Sequence, residues 1–307
     1  MGIQFKGWGI AVPERVVTND ELSQNLDTSD EWIFERTGIR ERHIGGTASS
    51  LGLAAARAAI ADAGVAAESI ECVILATTTP DSLIPASAPV IANELGITGA
   101  AFDMNAACSG FMYAVRVADG LAATGTQRIL VIGAEHLSRW VDWNDRTMAV
   151  LFGDGAGAVV IDATDGPSEL VSFDLGSDGS LEYLLNCAHG GTIFMNGKEI
   201  FRRAVRAMVE SSEKAMADAG VTADQLTLVI PHQANVRIIQ AACQRLGVEM
   251  ERAVIVLDRY GNTSSASIPL AVDEARRTKR LSSGDYVLMT GFGAGMTWAS
   301  AVVRWSV

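Results

Sequence analysis

The sequence predicts a layered α/β/α/β/α fold assembled from two similar halves, and three observations lead there. The segment Ala59-Ile-Ala-Asp-Ala-Gly-Val65, followed by the apolar run Ile70 to Ala76, returns 156 residues later as Ala215-Met-Ala-Asp-Ala-Gly-Val221, followed by Leu226 to Ile230. A period this long does not belong to a solenoid; it marks a duplicated domain. The runs Cys72 to Ala76, Ile129 to Ile132 and Ala158 to Ile161 are apolar throughout rather than alternating, as expected of strands buried on both faces. The length of 307 residues agrees, since about 150 residues per domain gives two.

In chain order, Ile3 to Ile10 reads as the opening strand, and a helix follows that stops at Gly64, a glycine C-terminal signal. The strand Ile70 to Ala76 comes next, then a strand at Ala101 to Met104 and a small-residue helix from about Ser109 to Ala123. Arg128-Ile-Leu-Val-Ile-Gly133 and Gly155-Ala-Gly-Ala-Val-Val160 complete the first half. Their echoes in the second are Tyr286-Val-Leu-Met-Thr-Gly291 and the Gly293-Ala-Gly to Ala301-Val-Val region. Turn residues from Asp162 to Glu169 break the apolar pattern, so the halves are expected at 1–165 and 166–307. The second half repeats the plan: a helix ending at Gly220, the strand Leu226 to Ile230, and a helix containing Val236 to Leu246.

A formal charge of −12 and a pI near 4.8 argue against nucleic acid or an anionic membrane as the main partner, because those surfaces recruit basic fields. No signal peptide is expected ahead of Ile3, and no run approaches the roughly 18 apolar residues of a membrane span. The four cysteines, Cys72, Cys108, Cys187 and Cys243, lack CxxC or zinc-ligand spacing. Free thiols in a reducing cytoplasm, and no metal, are the expectation.

Three short segments supply a thiol, an imidazole and an amide: Ala-Ala-Cys-Ser-Gly-Phe around Cys108, Pro-His-Gln-Ala-Asn around His232 and Tyr-Gly-Asn-Thr around Asn262. Each alone has an ordinary explanation. A lone cysteine is usually packed, a histidine after an apolar strand is usually structural, and Asn262 sits in a turn sequence. Together they lie at the predicted ends of core elements, where open α/β sheets form their ligand crevices. Cys108 is expected at a helix N-terminus, where peptide dipoles favour thiolate over thiol. His232 is expected at the same kind of strand-to-helix corner.

Long motifs carry a family resemblance across essentially the whole chain: Val12-Pro-Glu-Arg-Val-Val-Thr-Asn19, Asp27-Thr-Ser-Asp-Glu-Trp-Ile33, and Arg36-Thr-Gly-Ile-Arg-Glu-Arg-His-Ile44, continuing to Trp298. The chain resembles the β-ketoacyl-[acyl-carrier-protein] synthase III family, the initiating condensing enzymes within the thiolase-fold superfamily. The resemblance implies a homodimer that uses acyl-CoA and malonyl-[acyl-carrier-protein] as substrates, with no cofactor. It makes Cys108 the acyl acceptor, His232 and Asn262 the groups assisting decarboxylation, and the backbone N–H groups of Cys108 and Ala294 the oxyanion hole. Because many relatives have glycine at the latter position, Ala294 fits this role only with a negative φ.

For the substrates, the resemblance stacks Trp32 on the CoA adenine with Arg146 on the adenine's other face. Thr28 and Arg36 hold the nucleotide, while Asn196, Gly197 and Asn235 line the pantetheine tunnel. Arg202, Arg237 and Arg245 are the expected basic contacts to an acidic carrier protein, with Gln233, Ala234, Asn235 and Val236 on the same docking surface. Ile84, in Ser82-Leu-Ile-Pro-Ala86, stands where acetyl-preferring members often carry a phenylalanine that reaches across the dimer to close the acyl pocket. The loop after His43 and the stretch Leu181 to Met195 are shorter than the family pattern, and Ser265 replaces a usual alanine.

The third catalytic position separates the neighbours of this family. Elongating condensing enzymes have a second histidine where this chain has Asn262. Thiolases need a second cysteine near the C-terminus, and Gly291-Phe-Gly-Ala-Gly-Met-Thr297 has none. A papain-like protease also orders Cys, His and Asn, but places its cysteine near the mature N-terminus in another context. A priming ketosynthase of a specialised polyketide pathway and a non-catalytic partner subunit are the remaining alternatives; the presence of Cys108 argues against the second.

Overall fold

The computed structural model describes residues 1–306 and contains two principal sheets. The first has five strands in the order Gly2–Ala11, Gly155–Thr164, Arg128–Glu135, Cys72–Ala76 and Ala100–Met104. The second has four, in the order Leu226–Pro231, Tyr286–Gly293, Thr297–Arg304 and Leu170–Gly176. In each sheet a parallel pair continues into antiparallel partners, as in Cys72↔Ile129 and Leu228↔Val287. The fifth strand has a vestige in the second half, where Val229 and Ala253 form a single parallel bridge.

Five layers are held by three apolar clusters, the central one spanning both faces of the middle helix layer. The helices Gly110–Ala123 and Ser267–Arg277 lie between the sheets, where Phe111, Met112, Ile268 and Leu270 pack against strand residues of both. Burying a side chain of this size contributes about 1.5–3 kcal/mol. Ala48–Ala63 and Ser87–Glu94 cover the outer face of the first sheet, and Gly197–Ala219 with Val236–Leu246 cover the second. The repeated Ala-Asp-Ala-Gly segments close equivalent helices, with Gly64 at φ 64° and Gly220 at φ 65° supplying the left-handed stop.

A fourth apolar cluster joins residues 17–39 and 137–152 to Ile239 and Leu257. Its anchor is Arg42, fully buried, which donates to the Val17 and Val150 carbonyls and to Asn19 Oδ1. Burial lowers its pKa to about 10.

Cys108 sits in the turn that opens the helix Gly110–Ala123, as expected, but its corner and that of His232 are not equivalent, contrary to the sequence expectation. The turn Ala107–Ser109 precedes the helix Gly110–Ala123 just as Ser264–Ala266 precedes Ser267–Arg277. Ala107 and Ser264 share positive φ values of 49° and 48°, a conformation costing an L-residue roughly 1–2 kcal/mol. The twin of Cys108 is therefore Ser265. His232 follows Leu226–Pro231, and the strand registers match Leu75 with Pro231, so the twin position of His232 is Ala76.

Candidate active site

Cys108 is part-buried on the wall of a cavity of about 1020 Å³. Thr77, Thr78, Leu83, Ser264 and Ala294 share that wall, and the short stretch Leu185 to Gly190 closes one side. Backbone contacts are tight: a Cβ on Gly293 would stand 2.6 Å from Cys108 N, so only glycine lets this strand end pass so close. The thiolate expected from the helix N-terminus is not the resting form. Burial pushes the thiol up to about 12, and the side-chain hydrogen bond with Ser264 only partly offsets it. Desolvation outweighs the peptide dipoles here.

His232 flanks Cys108 from the second half, and Asn262 bonds to Ser264, a neighbour of Cys108 on the cavity wall. A Cβ placed on Gly291 would lie 3.7 Å from Cys108 O and 3.8 Å from His232 Cβ, so both flank one point of the strand. Asn262 Oδ1 accepts the Ser264 N–H at 2.9 Å, which leaves its NH₂ group as the free donor. His232 is buried, and burial lowers its pKa to about 3. The imidazole is therefore neutral, with Nδ1 2.7 Å from Ser267 Oγ.

Ala294 satisfies the backbone condition, because the non-glycine residues with positive φ among those described are Ala107, Ser264, Lys279 and Met296. Trp32 is half-buried and has guanidinium groups near its ring: Arg36 at 4.4 Å and Arg146 at 4.9 Å. Arg146 also donates to Asp27 O at 2.5 Å. An adenine between Trp32 and Arg146 must therefore part an existing stack. Thr28 Oγ1 nearby in sequence is buried with no partner.

Other expected contacts lie outside the cavity wall. Asn196 caps the helix Gly197–Ala219 by accepting from Glu199 N–H, and both Asn196 and Gly197 are exposed. Asn235 caps Val236–Leu246 and donates to Arg36 O at 3.0 Å, tying that helix to the Trp32 helix. Arg237 and Arg245 are exposed on that helix with no ion pair among the described residues, whereas Arg202 pairs with Glu199. Ala234 and Val236 are half-buried.

Gln233 must be removed from the docking surface. It is fully buried, donating to the Pro231 and Val254 carbonyls and accepting from the Val256 and Leu257 N–H groups. It braces the segment leading to Asn262 and cannot reach a docked protein.

Comparison with known proteins decides the family. The model of 3-oxoacyl-[acyl-carrier-protein] synthase III matches residues 102–179, and that of its C-terminal part matches residues 216–305. A β-ketoacyl-[acyl-carrier-protein] synthase III from Roseiflexus castenholzii is 51% identical, covering 98% of this chain and 97% of its own.

The chain belongs to the synthase III family.

Membership makes it a condensing enzyme, an acyltransferase on the thiolase fold that initiates fatty-acid synthesis. The 3-oxoacyl-[acyl-carrier-protein] synthase III structure from Aquifex aeolicus superposes with a TM-score of 0.97 at 43% identity, covering 99% of this chain and all of that one. The priming β-ketosynthase of the R1128 polyketide pathway gives 0.94 at 35% identity, covering 99% of this chain and 96% of that one. The higher identities lie with synthase III. Sequence reasoning about this synthase III member missed the hydroxyl run from Thr263 to Ser267, every residue of which is buried. The signal was present: polar residues packed so densely at a core helix start need partners.

Proposed function

We propose that this enzyme transfers an acyl group from acyl-CoA to Cys108 and condenses it with malonyl-[acyl-carrier-protein], releasing carbon dioxide and a 3-oxoacyl-[acyl-carrier-protein]. The observation that carries the reading is that Cys108 shares the wall of a cavity large enough for an acyl chain and the pantetheine arm that delivers it with Ser264, whose N–H donates to Asn262 Oδ1.

In the first half-reaction the Cys108 sulfur attacks the acyl thioester. The oxyanion forms against the N–H groups of Cys108 and Ala294, the C–S bond to CoA breaks, and the thiol proton ends on the departing sulfur. In the second, malonyl thioester loses carbon dioxide to become an enolate. Its oxygen accepts from His232 Nε2–H and the Asn262 NH₂, both neutral donors that do not hold back the departing carboxylate. The enolate carbon attacks the acyl group, and Cys108 leaves and regains a proton. No resident cofactor is needed.

Delivery of acyl-CoA would use Trp32, Arg36, Arg146 and Thr28. Arg237 and Arg245 would dock the carrier protein, with Asn196, Gly197 and Asn235 along the arm's path. The halves would divide at 1–165 and 166–307, since all strands of the first sheet end by Thr164 and those of the second begin at Leu170. A homodimer fits the edge strand Ala100–Met104, which pairs on one side only, and the exposed Leu83, Ile84 and Val90 of the segment leading into and along the neighbouring helix Ser87–Glu94. Among the described residues, no helix is long and apolar enough to cross a membrane. Mixing protein, acyl-CoA and malonyl-carrier protein and detecting the 3-oxoacyl product by mass spectrometry tests the reading; release of carbon dioxide without that product would contradict it.

A further inference from the structure

Glu135 ends the strand Arg128–Glu135 with its side chain fully buried, and no role assigned above uses it. Its two oxygens have unlike surroundings. Oε2 receives the Thr78 N–H at 3.1 Å, the Thr78 hydroxyl at 2.9 Å and the Thr79 hydroxyl at 2.7 Å. Thr79 Oγ1 itself accepts from His136 N–H at 2.8 Å, so its own proton is free to point at Oε2. Oε1 instead faces Ser265 Oγ at 3.0 Å, with a longer 3.3 Å share of the Thr78 N–H.

Ser265 Oγ also lies 2.9 Å from the Ala76 carbonyl oxygen. One hydroxyl proton can make a linear bond to only one of two acceptors, and sharing it weakens both. With Glu135 ionised, one of the two contacts would set oxygen against oxygen inside the fold. A proton on Oε1 completes the chain: Oε1–H donates to Ser265 Oγ, and the Ser265 hydroxyl donates to Ala76 O. Burial acts in the same direction, raising the carboxyl above its ordinary range.

We propose that Glu135 is a positioning residue held as a neutral acid, whose proton fastens Ser265 and thereby keeps Ser264 against Cys108 without placing a negative charge beside the sulfur. The inference rests on Cys108 as the nucleophile. Its geometry is specific, since the acid joins the cavity-wall residues Thr77 and Thr78 to the turn Ser264–Ala266. The groups facing Glu135 from that loop and turn are hydroxyls and an amide. Cys108 is the titratable group that senses its charge. Gly133 makes the arrangement possible, because a Cβ there would stand 2.5 Å from Ser265 O.

Infrared difference spectroscopy of the intact protein at pH 7 tests the proton directly. The expected band is the C=O stretch of a protonated carboxylic acid, lost in Glu135→Gln and moved to higher frequency in Ser265→Ala, where the acid proton loses its acceptor. If the Gln variant does not fold, isotope-labelled glutamate identifies the band in the unaltered enzyme. Alkylation of Cys108 by iodoacetamide, followed on its peptide, supplies a second readout. Its pH midpoint should stay in place in Glu135→Gln, and its rate at pH 8 should drop a few-fold in Ser265→Ala as Ser264 loses its anchor. A carboxylate band alone, a midpoint that falls in Glu135→Gln, or an unchanged rate in Ser265→Ala would overturn the proposal. Alkylation does not require acyl transfer, so these outcomes are separate from failure of the nucleophile assignment.

Discussion

The Nδ1 atom of His232 lies 2.7 Å from the hydroxyl oxygen of Ser267, and both residues are buried. Ser267 Oγ has no other hydrogen-bond partner among the described residues, so its proton has one place to go. Ser267 donates, Nδ1 accepts, and the imidazole proton is placed on Nε2, where the proposed mechanism requires a donor to the enolate. Ser267→Ala removes that constraint. Decarboxylation of malonyl-carrier protein should slow by roughly 5- to 150-fold, the equivalent of about 1–3 kcal/mol for a broken buried hydrogen bond, while acylation of Cys108 continues. Equal loss in both half-reactions would point to general damage instead.

The pH dependence follows from the same burial. His232, lowered to about 3, binds fewer protons in the folded state than the unfolded state does between about 6.5 and 3. Its contribution to stability is present above the unfolded value and lost as pH falls through that window. Decarboxylation should accordingly show no inflection near 6.5 from this residue. A histidine resonance of labelled enzyme, assigned with His232→Gln, checks it; a midpoint near the ordinary value would contradict the neutral-donor role.

His232→Ala and Asn262→Ala should each retain acylation of Cys108 and lose decarboxylation by about 10²–10³, the usual effect of removing one oxyanion donor. Acylation draws on backbone N–H groups that neither substitution touches. Stopped reactions with labelled acyl-CoA and labelled malonyl-carrier protein, run separately, distinguish the two steps. Failure at acylation in both variants would refute the division of labour.

How much of this was legible in the sequence depended on whether the signal was local. The continuous apolar runs and the Gly64 and Gly220 stops identified strands and helix ends because period and turn chemistry are properties of short segments. Cys108, His232 and Asn262 stood out as rare groups at segment boundaries. What escaped were consequences of three-dimensional enclosure. The thiol of Cys108 reads as activated from its helix and rises instead to about 12, because the amount of apolar packing around it is not a local property. Gln233 reads as a surface neighbour of Arg237 yet is sealed by four backbone partners. The pairing of Cys108 with Ser265 as structural twins needed the shared positive φ at Ala107 and Ser264.

Carrier-protein docking is expected to be electrostatic. Arg237→Glu, alone or with Arg245→Glu, should raise the KM for malonyl-carrier protein several-fold more than that for acyl-CoA. Charge at an exposed rim steers association and is screened by salt, so high ionic strength should reproduce the effect in the unaltered enzyme. An unchanged KM at low salt would remove this helix from the interface.

Primer choice is expected to follow Ile84, which is 88% exposed in a single chain and so is free to enter a second copy. An aliphatic stop leaves more room than a phenylalanine, and each further buried methylene contributes about 0.8 kcal/mol. Isobutyryl- and hexanoyl-CoA should be used at least as well as acetyl-CoA, and Ile84→Phe should shift preference toward acetyl. Strict acetyl preference in the unaltered enzyme would contradict this.

Acylation of the nucleophile is the most direct measurement. Intact protein incubated with acyl-CoA alone should gain one acyl group, located by peptide mass spectrometry on Cys108, and Cys108→Ala should gain none. Of the other thiols, Cys72 and Cys243 are buried in the core, whereas Cys187 lines the same cavity as Cys108 and is the thiol the mapping must distinguish. Acyl transfer that persists in Cys108→Ala, or that maps to Cys187, would contradict the assignment of the reaction centre.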